Sequence, residues 1–212
     1  MSLPTGLGKT FIAAVVMYNF YRWYPHGKVI FMAPTRPLVK QQMDACYNIT
    51  AIPKEVTAEL TGTKVQQSRG EIWQNKRVFF ITPQVLQNDL AIIIELASKI
   101  KVLVFDEAHR AKGNHAYCEV VRKLLPKNKL FRVLALSATP GNSSKDVIDV
   151  MQNLLIAHVE FRSEDSPDVK PYVFERALET VVVPLGEKLQ QIKDRYVQVW
   201  VKGWIMSEGC LV

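Results

Sequence analysis

Short apolar runs alternate with segments of helical periodicity through most of the chain. Five runs predict buried β-strands, at residues 28–33, 56–60, 78–81, 101–105 and 132–136. Helices are predicted around them, at residues 11–23, from the loop at 34–37 to about 47, and at 64–73, 85–96 and 117–125. A further helix should begin at the Ser-x-x-Asp sequence of Ser143 and Asp146. Continuously apolar strands are typical of a parallel sheet with helices on both faces, so the pattern predicts an α/β fold.

Polar residues follow the carboxyl end of every predicted strand. They are Thr35, Thr61, Thr82, Asp106 and Ser137. Open α/β sheets bind their ligands at the edge where the parallel strands end. We therefore expect these loops to form the functional edge of the sheet.

The pattern changes after residue 156. Residues 163–171 are polar and contain proline, which is typical of a linker or a surface loop, and residues 176–183 predict one more strand. From Leu185 onward, apolar residues recur three and four positions apart, at Leu189, Ile192, Tyr196 and Val199. That spacing predicts an amphipathic helix.

Composition narrows the class of protein. The 212 residues carry a net charge of +7 and a pI near 9.3, which favours a polyanionic partner, nucleic acid before a membrane. The cysteines Cys46, Cys118 and Cys210 form no Cys-x-x-Cys pair or Cys/His cluster, so we predict no zinc site. Reduced thiols are typical of nuclear or cytosolic proteins. The apolar stretch 11–20 is too short to span a bilayer.

A phosphate-binding loop is predicted at the start of the chain. Its residues are Pro4, Thr5, Gly6, Leu7, Gly8, Lys9 and Thr10, and Leu3 stands where the full pattern has a first glycine. The glycines allow a tight turn that points backbone N–H groups at a phosphate, and the following helix adds its positive end. Lys9 supplies a cation for the phosphates and Thr10 a hydroxyl for Mg²⁺. This pattern predicts a nucleotide site.

A second motif, Asp106-Glu107-Ala108-His109, follows the apolar run 102–105 directly. A strand that ends in two carboxylates is the magnesium-binding partner that a phosphate loop requires. The presence of this acidic motif makes it much less credible that Gly-x-Gly-Lys-Thr at residues 6–10 is only an ordinary strand-to-helix turn.

With these motifs in order, the chain resembles a superfamily 2 helicase, most closely the Fanconi anaemia group M family of DNA translocases, which includes the archaeal Hef helicases. The resemblance runs from Leu3 to about Val199 and covers only the first of two RecA-like motor domains. Besides the two motifs above, it rests on Ala-Pro-Thr-Arg-Pro-Leu-Val at 33–39, Thr-Pro-Gln at 82–84, Ser-Ala-Thr-Pro-Gly at 137–141 and the segment 162–168. It implies ATP and Mg²⁺ as cofactors, and DNA-dependent ATP hydrolysis that remodels branched DNA in replication-fork repair in the nucleus.

The resemblance also implies a role for each motif residue. Lys9 and the loop would hold the phosphates, Thr10 and Asp106 would hold Mg²⁺, and Glu107 would position and deprotonate the attacking water. His109 would relay the nucleotide state to Ser137 and Thr139. The DNA backbone would be gripped by Thr35, Arg36, Thr61, Gly62, Thr82 and Gln84.

The resemblance divides the chain into four parts. Residues 1–160 would be the RecA-like ATP-binding domain without the strand before the phosphate loop. Residues 161–184 would be a connecting segment with a strand, 185–199 the start of a helical insert, and 200–212 an atypical tail. The second RecA-like domain, with its arginine finger, is absent from the sequence. We therefore expect the chain alone to bind ATP weakly and to hydrolyse little.

Two other interpretations stay open at this point. An RNA-directed superfamily 2 ATPase, of the Dicer or innate-sensor type, shares the same architecture. A truncated and catalytically inactive product that binds nucleic acid or protein partners would also carry these motifs. The motif at 33–39 and the segment 162–168 favour the DNA-directed family.

Overall fold

The computed structural model describes residues 1–62, 66–139, 141, 143–173 and 179–208, with the backbone alone for 66–68 and 201–208. The chain divides into two compact units, Met1–Val173 and Phe174–Val212. The first unit contains all the predicted functional motifs.

A five-stranded parallel sheet forms the centre of the first unit. Its strands are β1 (Lys28–Met32), β2 (Thr57–Leu60), β3 (Val78–Ile81), β4 (Ile100–Phe105) and β5 (Arg132–Ala135), in the order β2-β3-β1-β4-β5. Every neighbouring pair is parallel, with Phe31 of β1 opposite Phe80 of β3 and Val104 of β4. The prediction of an α/β fold with a parallel sheet is confirmed.

Seven helices of the described chain surround the sheet. They are α1 (Lys9–Trp23), α2 (Arg36–Ile49), α3 (Gln66–Asn75), α4 (Pro83–Asp89), α5 (Ile94–Ala97), α6 (Ala116–Leu124) and α7 (Ser144–Leu154). Short 3₁₀ helices lie at Lys54–Val56, Ala108–Arg110 and Lys170–Tyr172. The predicted start of α7 is confirmed, because Ser143 and Asp146 exchange hydrogen bonds between side chain and backbone as a capping box.

The single helix predicted at 85–96 is wrong. The structure ends α4 at Asp89 and begins α5 at Ile94, with the N–H groups of Ile92 and Ile93 both donating to the Asp89 carbonyl at 2.8 and 3.0 Å. Three consecutive β-branched isoleucines, at 92–94, weaken helix propensity at this point. The buried Asp89 side chain also fixes the end of α4 against α3, as shown below.

Alternate residues of each strand enter two separate cores. On one face Ala13, Met17, Val39 and Met43 of α1 and α2 are buried with strand residues such as Phe31. On the other face the side chains of α3, α4, α6 and α7 are buried with the alternate strand residues, among them Trp73, Leu86, Phe79, Phe105, Tyr117 and Leu154. Two covered faces explain why the strands read as continuous apolar runs.

The residues before the phosphate loop form isolated bridges and no regular strand. Ser2 pairs in parallel with Ser137 on one side and with Phe161 on the other. The Ser2 N–H donates to Glu160 O at 2.7 Å, and the Leu3 N–H donates to Ser137 O at 3.1 Å. These bonds place the loop directly beside the end of β5.

The second unit contains α8 (Glu187–Glu208). Its apolar residues Leu189, Ile192, Tyr196 and Val199 are exposed, at the predicted helical spacing. The helix continues beyond residue 199, so the described part of the predicted atypical tail is helical, and residues 209–212, with Cys210, lie outside the described residues. That α8 begins a helical insert stays a prediction.

The strand predicted at 176–183 does not form in residues 179–184. Residues 176–178 lie outside the described part of the chain. The side chains of Val181, Val182 and Val183 are exposed. Their β-propensity alone does not create a strand, because a strand requires a neighbour that pairs with its backbone. None of the described helices combines the length and apolar character needed to cross a membrane.

Candidate nucleotide and nucleic-acid site

The phosphate loop has the backbone conformation that its sequence predicts. Gly6 and Gly8 adopt φ angles of 88° and 82°, in the left-handed region that favours glycine. Gly8 immediately precedes α1, so the positive end of that helix faces the loop. A cavity of about 340 Å³ opens beside the loop and is lined by Leu3, Gly6, Leu7, Asp168, Val169 and Tyr172.

Lys9 lies folded into the loop. Its ammonium group donates hydrogen bonds to Leu3 O at 2.8 Å and to Pro4 O at 3.0 Å. Burial lowers the pKa of Lys9, whereas the carboxylates of Glu107 and Asp106 act to raise it. The Lys9 ammonium group is therefore close enough to the Glu107 and Asp106 carboxylates to interact with them electrostatically.

The two predicted magnesium ligands, Thr10 and Asp106, are brought together by Gln42 of α2. The Thr10 hydroxyl donates to Gln42 Oε1 at 2.9 Å, and Gln42 Nε2 donates to Asp106 Oδ2 at 3.3 Å. Asp106 Oδ1 accepts the N–H of Glu107 at 3.0 Å. Burial and the neighbouring Glu107 carboxylate raise the pKa of Asp106, a residue only 8% exposed.

These oxygens fit a magnesium ion. Mg²⁺ prefers one or two carboxylates, with phosphate oxygens and water completing its octahedron. The described residues contain no group of three or more His, Cys, Asp or Glu side chains that could hold a metal alone. A site made of a hydroxyl and a buried carboxylate therefore suits an ion that arrives with a nucleotide.

Glu107 has an unusual backbone conformation. Its φ of 51° and ψ of 47° are left-handed, although it is not a glycine. Such a conformation costs on the order of 1 kcal/mol or more and is concentrated at functional sites. It directs the chain from β4 into the short helix Ala108–Arg110, and the Glu107 side chain remains partly exposed.

A hydrogen-bond chain joins this acidic motif to the loop after β5. His109 Nδ1 lies 3.3 Å from Glu107 Oε2 and 3.1 Å from Ser137 Oγ. Ser137 Oγ in turn donates to Thr139 O at 2.7 Å. The serine hydroxyl has one proton and donates it to the Thr139 carbonyl, so it must accept the hydrogen bond from His109. The histidine therefore carries a proton on Nδ1. The predicted residues His109, Ser137 and Thr139 therefore lie in contact, whereas Pro140 is outside the described residues.

All six predicted DNA contacts line one polar groove of about 410 Å³. They are Thr35, Arg36, Thr61, Gly62, Thr82 and Gln84, joined by Pro34, Arg69, Val85 and Asn88. Three separate strand ends supply these residues, after β1, β2 and β3. Arg36 and Gln84 are exposed, and Gly62 has a φ of 83°. The groove offers hydroxyl, amide and guanidinium groups, which bind phosphates without reading bases.

Arg69 belongs to α3, a helix of mostly polar residues, yet its side chain is buried. Arg69 is 6% exposed and holds the fully buried Asp89 with a two-pronged contact, Nε at 2.9 Å from Oδ2 and a terminal nitrogen at 2.6 Å from Oδ1. Trp73 Nε1 donates to the same carboxylate at 2.8 Å. This network fastens α3 to α4 beneath the groove.

Sequence reasoning missed Gln42 and Asn88 as site residues. Asn88 lies four positions after Gln84 on α4, a spacing that places both on one helical face and could have revealed it. Gln42 carries no comparable signal, because its partners lie 32 and 64 positions away in the chain.

Comparison with known sequences decides the family. The sequence profile described as DEAD/DEAH box helicase matches residues 1–147. This chain belongs to the DEAD/DEAH box helicase family. The matched region contains the phosphate loop, the acidic motif and the groove.

Individual proteins are similar to this chain over nearly its whole length. The Fanconi anemia group M protein homolog of Mus musculus is 58% identical over 197 residues, 93% of this chain and 10% of that protein. The DEAD-box ATP-dependent DNA helicase Fancm of Drosophila melanogaster is 52% identical over 201 residues, 93% of this chain and 14% of that protein. The resemblance to the Fanconi anaemia group M proteins is confirmed, and this chain spans a small part of their length.

A solved structure extends the comparison to the fold. The Pyrococcus furiosus Hef helicase domain superposes with a TM-score of 0.75 at 39% identity, covering 91% of this chain and 40% of that one. The prediction of a RecA-like fold of the Hef type is thereby confirmed.

Proposed function

We propose that this chain is the ATP-binding part of a DNA-dependent ATPase that moves along or remodels branched DNA. The observation that carries the proposal is the convergence of the phosphate loop, the carboxylates of Asp106 and Glu107, and the polar groove on one edge of one parallel sheet. Two of the relatives described above, those of Drosophila and Pyrococcus, have names that call them helicases, one of them ATP-dependent and acting on DNA.

In the proposed nucleotide site, the N–H groups of the loop and Lys9 bind the β- and γ-phosphates. Thr10 and Asp106 would hold Mg²⁺, which neutralises charge that develops on the phosphates when it is bound. Glu107 orients the attacking water and accepts its proton. The ring nitrogen Nδ1 of its neighbour His109 lies 3.3 Å from that carboxylate and also contacts Ser137.

In the proposed DNA site, the groove binds the phosphate backbone of one strand. Its groups come from three loops and carry no base-reading arrangement, so binding should be insensitive to sequence. The net charge of +7 supports a nucleic-acid partner. Work on branched DNA at replication forks in the nucleus completes the proposal and rests on the resemblance to the Fanconi anaemia group M proteins.

The first test measures nucleotide binding by titration calorimetry on the whole chain. Lys9→Ala should abolish Mg·ATP binding, because no other side-chain cation belongs to the loop, whereas Lys145→Ala on the exposed face of α7 should bind like the parent. Glu107→Gln should retain binding and lose any single-turnover hydrolysis, since it keeps the shape but not the proton acceptor. Equal ATP affinity in the Lys9→Ala variant and the parent would refute the nucleotide assignment.

The second test compares nucleic acids at fixed salt. Branched DNA should compete with a labelled DNA probe more strongly than duplex RNA of the same length does. Stronger binding of RNA would favour the RNA-directed alternative. Binding of neither nucleic acid, together with intact ATP binding, would favour the alternative of a fragment that binds protein partners.

A further inference from the structure

Gln42 of α2 contacts both predicted magnesium ligands with a single side chain. Its Oε1 accepts the Thr10 hydroxyl at 2.9 Å and its Nε2 donates to Asp106 Oδ2 at 3.3 Å. None of the sequence motifs described above assigned a role to this residue. Its two contacts connect the start of α1 to the end of β4.

The chemistry of these contacts leaves both ligands ready for a cation. A threonine hydroxyl has one proton and two lone pairs. Because Thr10 donates its proton to Gln42, its lone pairs point away from that amide. The Asp106 carboxylate accepts one bond on each oxygen, from Gln42 and from the Glu107 N–H, and an ionised carboxylate has about four acceptor positions. Each ligand is therefore oriented and still has free lone pairs.

An amide suits this position better than either charged or apolar side chains do. One end must accept from a hydroxyl while the other donates to a carboxylate, and a side-chain amide does both without carrying charge. A carboxylate at this place would lie against the Asp106 carboxylate, and the two like charges would repel each other. A hydrophobic side chain would leave both ligands without their partner.

Gln42 also lies on the helix that reaches the groove. Arg36 is the first residue of α2 and Thr35 precedes it, and both line the groove. Gln42 follows Arg36 by six residues, about 9 Å along the helix axis. The buried residues Val39 and Met43 pack α2 against the sheet on either side of this position.

We propose that Gln42 is the positioning residue of the magnesium site, orienting Thr10 and Asp106 toward the ion and tying them to the helix that grips DNA. This inference rests on the proposed function and deepens it. Partners that orient the ligands of a metal typically change metal affinity or activity by about 10- to 100-fold when they are removed.

The test uses the whole chain, a fluorescent ADP analogue and magnesium titrations. Gln42→Met has nearly the same length and makes neither hydrogen bond, and Gln41→Met is the matched control because Gln41 is the exposed neighbour on the same helix. Nucleotide affinity is measured in EDTA and at increasing Mg²⁺. Gln42→Met should need about 10- to 100-fold more Mg²⁺ to reach its full affinity, with unchanged affinity in EDTA.

The measurement in EDTA separates positioning from a merely structural role. A general disturbance of the loop would weaken nucleotide binding with and without the ion, and that result would overturn the inference. Equal Mg²⁺ requirements in Gln42→Met and Gln41→Met would overturn it as well. If Gln42→Met does not fold, Gln42→Ala provides the same comparison.

A failure of the proposed function would give a different result from a failure of the inference about Gln42. If the parent chain binds the nucleotide neither with nor without Mg²⁺, the nucleotide site itself is refuted and the inference about Gln42 falls with it. If the parent shows magnesium-dependent binding and Gln42→Met does too, at the same ion concentration, only the inference about Gln42 is wrong.

Discussion

Replacing Asp89 with alanine should destabilise the first unit more than any surface substitution. Asp89 is fully buried, and its carboxylate receives the guanidinium of Arg69 and the indole N–H of Trp73. Asp89→Ala removes the anion and leaves the charged partner buried. The loss of one partner from a buried ion pair costs about 3–5 kcal/mol, because the remaining charge keeps its desolvation penalty.

That cost is large compared with the stability of a domain. Native domains are stable by about 5–15 kcal/mol, so Asp89→Ala should remove roughly a third to a half of a mid-range value of about 10 kcal/mol. With a urea slope of about 2 kcal/mol/M, the unfolding midpoint should fall by roughly 1.5–2.5 M. The N–H of Trp73 also loses its acceptor, but this effect overlaps with the first and is not added to it.

Urea unfolding followed by circular dichroism measures this effect. The control is Asp44→Ala, which breaks the exposed pair between Lys40 and Asp44 at 3.2 Å and should cost only about 0.3–0.5 kcal/mol. The double variant Arg69→Met with Asp89→Leu should recover much of the loss, since it removes both charges. A midpoint of Asp89→Ala equal to that of Asp44→Ala would refute the reasoning.

Three further predictions follow from single contacts. Arg36→Ala should weaken DNA binding equally for all sequences and reduce the salt slope by about one, as expected for one phosphate contact, in fluorescence anisotropy titrations. Ser137→Ala breaks the chain between His109 and Thr139, so it should reduce the effect of DNA on nucleotide affinity, a coupling of about 1–3 kcal/mol, while nucleotide binding itself persists. Burial, helped by the charges of Lys99 and Arg77, lowers the pKa of Lys28 from 10.5 to about 8. The folded chain then loses this proton before the unfolded chain does, so stability should rise between about pH 8 and 10.5, and Lys28→Met should flatten that rise in urea unfolding.

Each of these has an outcome that contradicts it. A change in base preference would show that Arg36 reads sequence. Unchanged coupling in Ser137→Ala would mean that the nucleotide state affects DNA binding by another route. Lys129→Met is the control and should leave the rise in stability with pH unchanged. If Lys28→Met also leaves the rise unchanged, other groups cause it.

The strands and the phosphate loop were predictable from the sequence because their causes are local. A strand buried on both faces is apolar at consecutive positions, as Val102 to Phe105 illustrate. Gly6 and Gly8 were identified because a tight turn with positive φ favours glycine wherever it occurs in the chain. The convergence of the loops on one edge followed from the rule for parallel sheets, without any knowledge of side-chain contacts.

The predicted strand does not form in its described residues 179–183, and the single helix predicted at 85–96 is wrong as well. In both segments a distant partner, and not local propensity alone, decides the structure. The valines at 181–183 favour a strand, yet no neighbour pairs with them in the described part of the chain. The helix at 83–89 ends where Asp89 meets Arg69, 20 residues earlier in the chain.

The sequence by itself determined the class of fold, the order of its elements and the residues of each motif, since backbone geometry and burial impose these on short stretches. Only the tertiary structure decided which polar side chains meet. Gln42 reaches Thr10 across 32 positions and Asp106 across 64, and Arg69 is buried because Asp89 neutralises it. The position of a polar side chain cannot be assigned until its partner is known. The same group is stable when it is hydrogen-bonded in the interior and when it is solvated at the surface.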